Sequence, residues 1–257
     1  LFAACATPAE RSDRTAQELG LGREVIRGAS FLHVVYARQG GPPAQTLHVY
    51  LEGDGSPARA WRSIPPDPTP EDPLMLRLLA LDPTPSFLLG RPCYHASEPC
   101  SPDAWSTGRF SEEVVESLVA ATRRECAARG AEEVVLIGHS GGGALAMLMA
   151  ERLSETSAVV TVAGNLDVGA WTRHHGFEPL SGSLDPALRP PLPSRVVQLH
   201  LLAGLDQSVP PEITEAAIAR QPSAEPWLFP ELDHSCCWAT VWPQVLGRIR
   251  TRSAHPD

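Results

Sequence analysis

One junction constrains this chain more than any other. Glu133-Val-Val-Leu-Ile-Gly138 is an unbroken apolar run of strand length, and from Gly141 the run Ala-Leu-Ala-Met-Leu-Met-Ala, continuing to about Leu153, reads as a helix. His139 and Ser140 alone separate them, so the backbone must turn sharply from strand to helix. The stretch Gly138-His-Ser140-Gly-Gly142 fits the pattern G-x-S-x-G, and a strand before with a helix after is the context that pattern requires. A residue on so tight a turn takes strained backbone angles, and side chains at 138 and 142 would clash, which glycine avoids. Ser140 then stands at a helix N-terminus, where free amides and the dipole favour developing negative charge. These features make Ser140 the candidate nucleophile. A phosphate loop would need a Lys, and all 21 basic residues of the chain are Arg. A dinucleotide G-x-G-x-x-G would need Gly at 140.

The rest of the chain repeats this alternation. Strands are expected at 31–36, 47–51, 86–89, 158–163, 195–202 and 225–229. Helices are expected at about 73–81, 112–129, 210–220 and 239–252. Asp72 and Pro73 read as the cap and first turn of the 73–81 helix. Ser111 caps the 112–129 helix and Gly130 stops it. Continuous apolar strands alternating with helices predict a mostly parallel sheet covered on both faces. Residues 165–193 are the longest stretch without a clear pattern and are expected to form a short cap over the sheet edge.

A serine hydroxyl needs a base, and the base needs an orienting acid. Pro230-Glu-Leu-Asp-His234 follows the last expected strand and precedes the last helix, which makes His234 the candidate base. Ala203-Gly-Leu-Asp206 follows the penultimate strand, so Asp206 reaches the carboxyl edge of the sheet, where active groups of open α/β sheets gather. Asp233 and Asp185 are weaker choices for the acid. His33, His48 and His200 fall within strands and read as structural. His139 is expected to point away from the turn's working side. His95, His174 and His175 lie in loops that could contact substrate. The oxyanion requires two amides. Gly141, next after the nucleophile, supplies one, and the loop Glu52-Gly53-Asp54-Gly55 after an earlier strand supplies the other through Asp54, with Gly53 and Gly55 as alternates. The carboxylates of Glu52 and Asp54 are expected to turn away and brace this loop, for example against an Arg.

Ser140, Asp206 and His234, in that order and each after an expected strand, resemble the α/β-hydrolase superfamily over roughly residues 30–250. More narrowly, Tyr50-Leu-Glu-Gly-Asp-Gly55, Gly90-Arg-Pro-Cys93, Trp105-Ser-Thr-Gly-Arg-Phe110 and Asp233-His-Ser-Cys-Cys-Trp238 are similar to a poorly characterised group of exported bacterial α/β hydrolases. The resemblance implies an α/β-hydrolase fold with a short insert around 165–193. It also implies a serine hydrolase of esterase or lipase type. No cofactor is expected, and the lack of a Cys-x-x-Cys pair or a His-Glu-x-x-His run argues against a metal. Its loop corresponds to the His-Gly-x-Gly loop of esterases and lipases, with Glu52 where His is usual. Acyl transfer or peptide cleavage by the same residues, and a non-catalytic binding protein on this scaffold, are the alternatives. Trp61, Trp105, Trp171 and Trp238 lie near the expected site and divide between an acyl pocket and packing.

Charge and cysteines bear on partners and compartment. The net charge of −9, with no basic run, argues against nucleic acid as a partner. The hydrolase resemblance implies a small acyl substrate instead. Leu1-Phe-Ala-Ala-Cys5 resembles the end of a bacterial lipoprotein signal, with 1–22 as signal remnant and tether and 23–257 as one catalytic domain. That reading implies the cell envelope and a membrane tether through a lipidated Cys5. Cys93 and Cys100 are expected to close a loop as a disulfide. Adjacent Cys236 and Cys237 could pair with each other or reach elsewhere, including Cys126.

Overall fold

The computed structural model describes residues 6–40, 44–55, 67–98 and 100–254. Cys5 and Trp61 lie outside them. Eight strands form one sheet: β1 (Gly22–Arg27), β2 (Leu32–Ala37), β3 (Thr46–Leu51), β4 (Ser86–Leu89), β5 (Glu133–His139), β6 (Thr156–Val162), β7 (Val197–Ala203) and β8 (Ala224–Phe229). Their spatial order is β1-β2-β4-β3-β5-β6-β7-β8. β1 and β2 pair antiparallel, as do β2 and β4; from β4 through β8 all neighbours are parallel. The mostly parallel sheet expected from the apolar runs is therefore present, with an antiparallel edge added to it.

Strand alternation sends side chains to two cores. Leu47, Val49, Leu51, Val134 and Leu136 pack against helices α3 (Glu112–Arg129) and α4 (Gly141–Ala150). Tyr50, Val135 and Ile137 pack on the opposite face against helices α2 (Leu74–Ala80) and α7 (Trp238–Ala254), through Leu76, Leu79, Trp242 and Val245. A sheet buried on both faces explains why β5 reads as unbroken apolar sequence. Helix α6 (Pro211–Ala219) lies between β7 and β8, and α4 ends at Ala150, short of the expected Leu153. The caps read from the sequence are present with one exception. Ser111 accepts from the Val114 amide, and Gly130 takes a left-handed φ of 70° after α3. Asp72 does not cap α2, because its carboxylate pairs with Arg77 at 2.6 Å instead and Pro73 occupies the cap position.

Two elements depart from expectation. Residues within 6–22, read as a polar tether, form helix α1 (Pro8–Glu18). Thr7 Oγ1 accepts from the Glu10 amide at 3.1 Å and Glu10 Oε2 accepts from the Thr7 amide at 2.8 Å, a reciprocal cap. Ala9, Ser12 and Ala16 are buried, and Asp13 accepts from the Tyr36 hydroxyl at 2.5 Å, which fastens the helix to β2. β1 was also unforeseen. It is an edge strand that is mostly exposed, so it carries no apolar alternation.

Cys93 is bridged to Cys100, as expected, and Cys236 to its neighbour Cys237; Cys126 is a buried free thiol. Among the described residues no helix is long and apolar enough to cross a membrane.

The strand histidines are structural. His33 bonds the Gly90 carbonyl at 2.9 Å and Ser117 Oγ at 2.8 Å. His48 bonds Asp82 at 2.6 Å, and His200 bonds Thr161 Oγ1 at 2.9 Å. Burial lowers His33 and His200 from the ordinary 6.5 to about 4. Both are neutral when folded, so below pH 6.5 protons bind the unfolded chain first. The stability present above pH 6.5 is then lost as pH falls towards 4, by on the order of 3 kcal/mol for each histidine. Denaturant unfolding across this range should show stability rising with pH. His200→Leu should flatten that slope, whereas an unchanged slope would contradict the neutral buried state.

Candidate active site

The turn between β5 and α4 holds Ser140 at φ 52°, ψ −121°. A left-handed φ is rare for a residue with a side chain and persists only when surrounding bonds over-determine it. Here the Ser140 amide donates to the Val162 carbonyl at 2.9 Å. The Ser140 carbonyl accepts from the Gly143 and Asn165 amides at 2.9 and 3.0 Å. A Cβ at Gly138 would lie 2.1 Å from the Gly142 carbonyl oxygen, so no larger residue fits there.

His234 and Asp206 meet beside this turn. His234 Nδ1 donates to Asp206 Oδ2 at 2.8 Å. Asp206 follows β7, and its Oδ1 accepts from the amides of Ser208 and Val209, both at 2.8 Å. Its side chain is fully buried. Every bond to this carboxylate comes from a donor, which fixes both oxygens and orients the imidazole. The two weaker acids are engaged elsewhere. Asp233 accepts from the Ser235 and Cys236 amides, bonds that lower its pKa, and Asp185 accepts from the Val168, Gly169 and Ala187 amides.

His139, expected to point away from the turn's working side, does not do so. It lines the cavity next to Ser140, and its Nε2 donates to the His234 carbonyl at 2.8 Å; that carbonyl also accepts from Trp238 Nε1 at 3.2 Å. The two imidazole rings lie 4.8 Å apart. Burial, and then the proximity of His234, lower the His139 pKa to about 4, so at neutral pH it is an uncharged donor with its proton on Nε2. Its Nδ1 side faces Gly53, where an added Cβ would come within 3.1 Å of both Nδ1 and Ser140 Cβ. His139 thus touches the Ser140 turn, the His234 loop and the Glu52–Gly55 loop at once. The strand-end position hid this, because strand parity alone does not tell which loops will close over an end residue.

The Glu52–Gly55 loop lines the same cavity. Its acidic side chains do brace it. Glu52 Oε2 bonds buried His95 Nε2 at 2.5 Å. Asp54 meets Arg91 at 2.6 Å and Arg109 at 2.8 Å. Burial opposes ionisation of Asp54, but the charges of Arg109 and Arg91 outweigh it and hold its pKa below the ordinary value. His95 is therefore a scaffold residue and not a substrate contact.

The cavity has a volume of about 740 Å³. Residues 165–193 supply part of its wall through Trp171, Phe177 and Leu180, and α2 supplies Leu74 and Met75. Helix α5 (Val168–His175) is latched to the Asp206 loop, because Trp171 Nε1 and His175 Nε2 both donate to the Ser208 carbonyl, at 2.8 and 2.9 Å. Trp105 and Trp238 are buried packing residues, and His174 is exposed, stacked edge-on against His175. Among the described residues no group of three or more His, Cys, Asp or Glu could hold a metal ion.

No protein-family model and no curated protein matches the sequence. Solved structures do match in shape. An esterase of Pyrococcus furiosus superposes with a TM-score of 0.64 at 12% identity, over 97% of this chain and 94% of that one. A hormone-sensitive lipase from a metagenome library gives 0.64 at 13% identity, over 96% and 94%. Est1E from Butyrivibrio proteoclasticus gives 0.61 at 12% identity, over 91% and 99%. Identities this low speak for architecture alone. The strand order, the helices on both faces and these superpositions agree that the chain has the α/β-hydrolase fold.

Proposed function

We infer that this protein is a serine hydrolase that cleaves a carboxylic ester or related acyl bond through an acyl-enzyme. One observation carries the reading: a serine held at φ 52° on a strand-to-helix turn shares one cavity with a histidine whose Nδ1 donates to a buried carboxylate. A turn strained in this way has no structural purpose that an ordinary loop would not serve with less strain. The apolar wall from Leu74, Met75, Trp171, Phe177 and Leu180 suits an acyl group, and the esterases and lipase of like fold fit the same reading.

Ser140 Oγ attacks the carbonyl carbon while His234 Nε2 takes its proton. Asp206 holds the imidazole in the required tautomer and stabilises the imidazolium that forms. The carbonyl oxygen, now negative, is met by the Gly141 amide at the start of α4 and by the Asp54 amide opposite. His234 then gives its proton to the leaving alcohol, and water enters to release the acyl group by the same steps in reverse.

A fluorophosphonate probe should label the wild type at Ser140 and leave Ser140→Ala unlabelled. With a p-nitrophenyl ester, Ser140→Ala or His234→Ala should lower kcat by about 10⁴-fold or more, and Asp206→Asn by about 10³- to 10⁴-fold. A folded wild type that takes no label would point instead to a non-catalytic binding protein on this scaffold.

His139 acts through His234. His139→Phe keeps the ring but removes the donor to the His234 carbonyl, a bond worth about 1 kcal/mol. We expect kcat to fall by roughly fivefold to tenfold with KM little changed. His139→Gln, which restores an N–H donor, should recover part of the loss. Equal kcat in wild type and His139→Phe would rule out a role for His139 in the reaction.

A further inference from the structure

The geometry points to a role for two buried arginines that the hydrolase reading above does not itself require. We propose that Arg91 and Arg109 are positioning residues of the oxyanion hole, keeping the Asp54 carboxylate neutralised where it rests against Gly141. The proposal rests on the serine-hydrolase reading and extends it to the loop opposite the nucleophile.

The contact with Gly141 is direct. A Cβ built on Gly141 would lie 2.0 Å from Asp54 Oδ1 and 2.6 Å from its Cγ. The carboxylate therefore fills the space that a side chain would take at the residue after the nucleophile. That residue carries the amide expected to bind the oxyanion. A carboxylate so placed is an electrostatic liability, because like charge beside a developing oxyanion raises its energy.

Two cations answer it, one per oxygen. Arg91 Nη1 donates to Oδ1 at 2.6 Å and Arg109 Nη1 donates to Oδ2 at 2.8 Å. Both arginines are themselves fixed. Arg91 is wholly buried, with its guanidinium carbon 4.9 Å from the Tyr94 ring centre and 5.5 Å from that of Phe110. Arg109 also donates from Nε to the Ser106 carbonyl at 2.7 Å. The Asp54 carbonyl is held in turn by the Tyr94 hydroxyl at 2.8 Å. With its carbonyl and both carboxylate oxygens fixed, Asp54 presents its amide in one orientation. Arg91 lies two residues before Cys93, so the loop that the Cys93–Cys100 bridge closes begins just after it.

Removing one arginine leaves the carboxylate in place with less compensation. The loss then falls on the transition state, where charge develops, and not on ground-state binding. Arg109 carries the test, because it reaches the cavity wall and Arg91 does not. With a p-nitrophenyl ester, Arg109→Gln should lower kcat about 10-fold to 100-fold and change KM by less than about threefold. Arg109→Lys should recover part of the rate. Affinity for a boronic acid that forms a tetrahedral adduct on Ser140 should fall in parallel with kcat/KM. The combination Arg109→Gln with Asp54→Asn should be faster than Arg109→Gln alone, because the liability is removed with its counter-charge. Thermal melts establish that each variant is folded. Wild-type kcat in folded Arg109→Gln, or a double variant that loses the product of the single losses with boronate affinity unchanged, would overturn the proposal. Failure of the wild type to take a fluorophosphonate at Ser140 would strike the hydrolase reading instead.

Discussion

Everything at this site hangs on the backbone of one residue. Ser140 sits at φ 52°, a conformation that costs of order 1–3 kcal/mol for a residue with a side chain. The two cores around it hold it there. β5 is buried on both faces, α4 is buried along its whole length, and the turn between them is bonded to β6 through Val162 and to the following loop through Asn165. Glycines at 138 and 142 let β5, α4 and the end of β3 approach to a separation that no side chain would allow. The strain is local, and the sheet that sustains it is large.

Three loops from distant parts of the chain converge on that turn, and each arrives with its own fixings. The Asp206 loop wraps its carboxylate with two amides and is latched to α5 through the Ser208 carbonyl. The His234 loop is held by its carbonyl, which receives His139 and Trp238. The Glu52–Gly55 loop is pinned by Arg91, Arg109, Tyr94 and His95. His139 and Asp54 are the cross-links. The first joins the Ser140 turn to the His234 loop, and the second joins that turn to the loop opposite. A site whose parts are secured independently and then tied together suits chemistry that tolerates little displacement of the reacting groups.

The sequence made this architecture readable where periodicity and motif coincide. The β5–Ser140–α4 junction shows in the residues because a two-faced strand must be apolar throughout and the turn must be glycine-rich. The order Ser140, Asp206, His234 is legible because each follows a strand. The edges were harder. β1 is exposed and has no alternation, and α1 is polar apart from small residues, although Thr7 and Glu10 spell out its cap three residues apart. Asp72 reads as a cap and is taken by Arg77. The identities of the distant side chains that brace the loops do not show in the sequence. No local pattern says that Arg91 and Arg109 will meet Asp54, or that His139 will find a carbonyl 95 residues away. The acidic Glu-Gly-Asp-Gly loop looked unfavourable beside an oxyanion, and the counter-charges that resolve it lie 37 and 55 residues further on.

In the proposed mechanism Ser140 carries the acyl group between two half-reactions. Rapid mixing with a p-nitrophenyl ester, an acid quench within the first turnover and peptide mass mapping would test it directly. One acyl group per chain is expected on the peptide that contains Ser140, appearing with the first burst of p-nitrophenol. Release of p-nitrophenol with no acyl group on the chain, or with the acyl group on another residue, would contradict it.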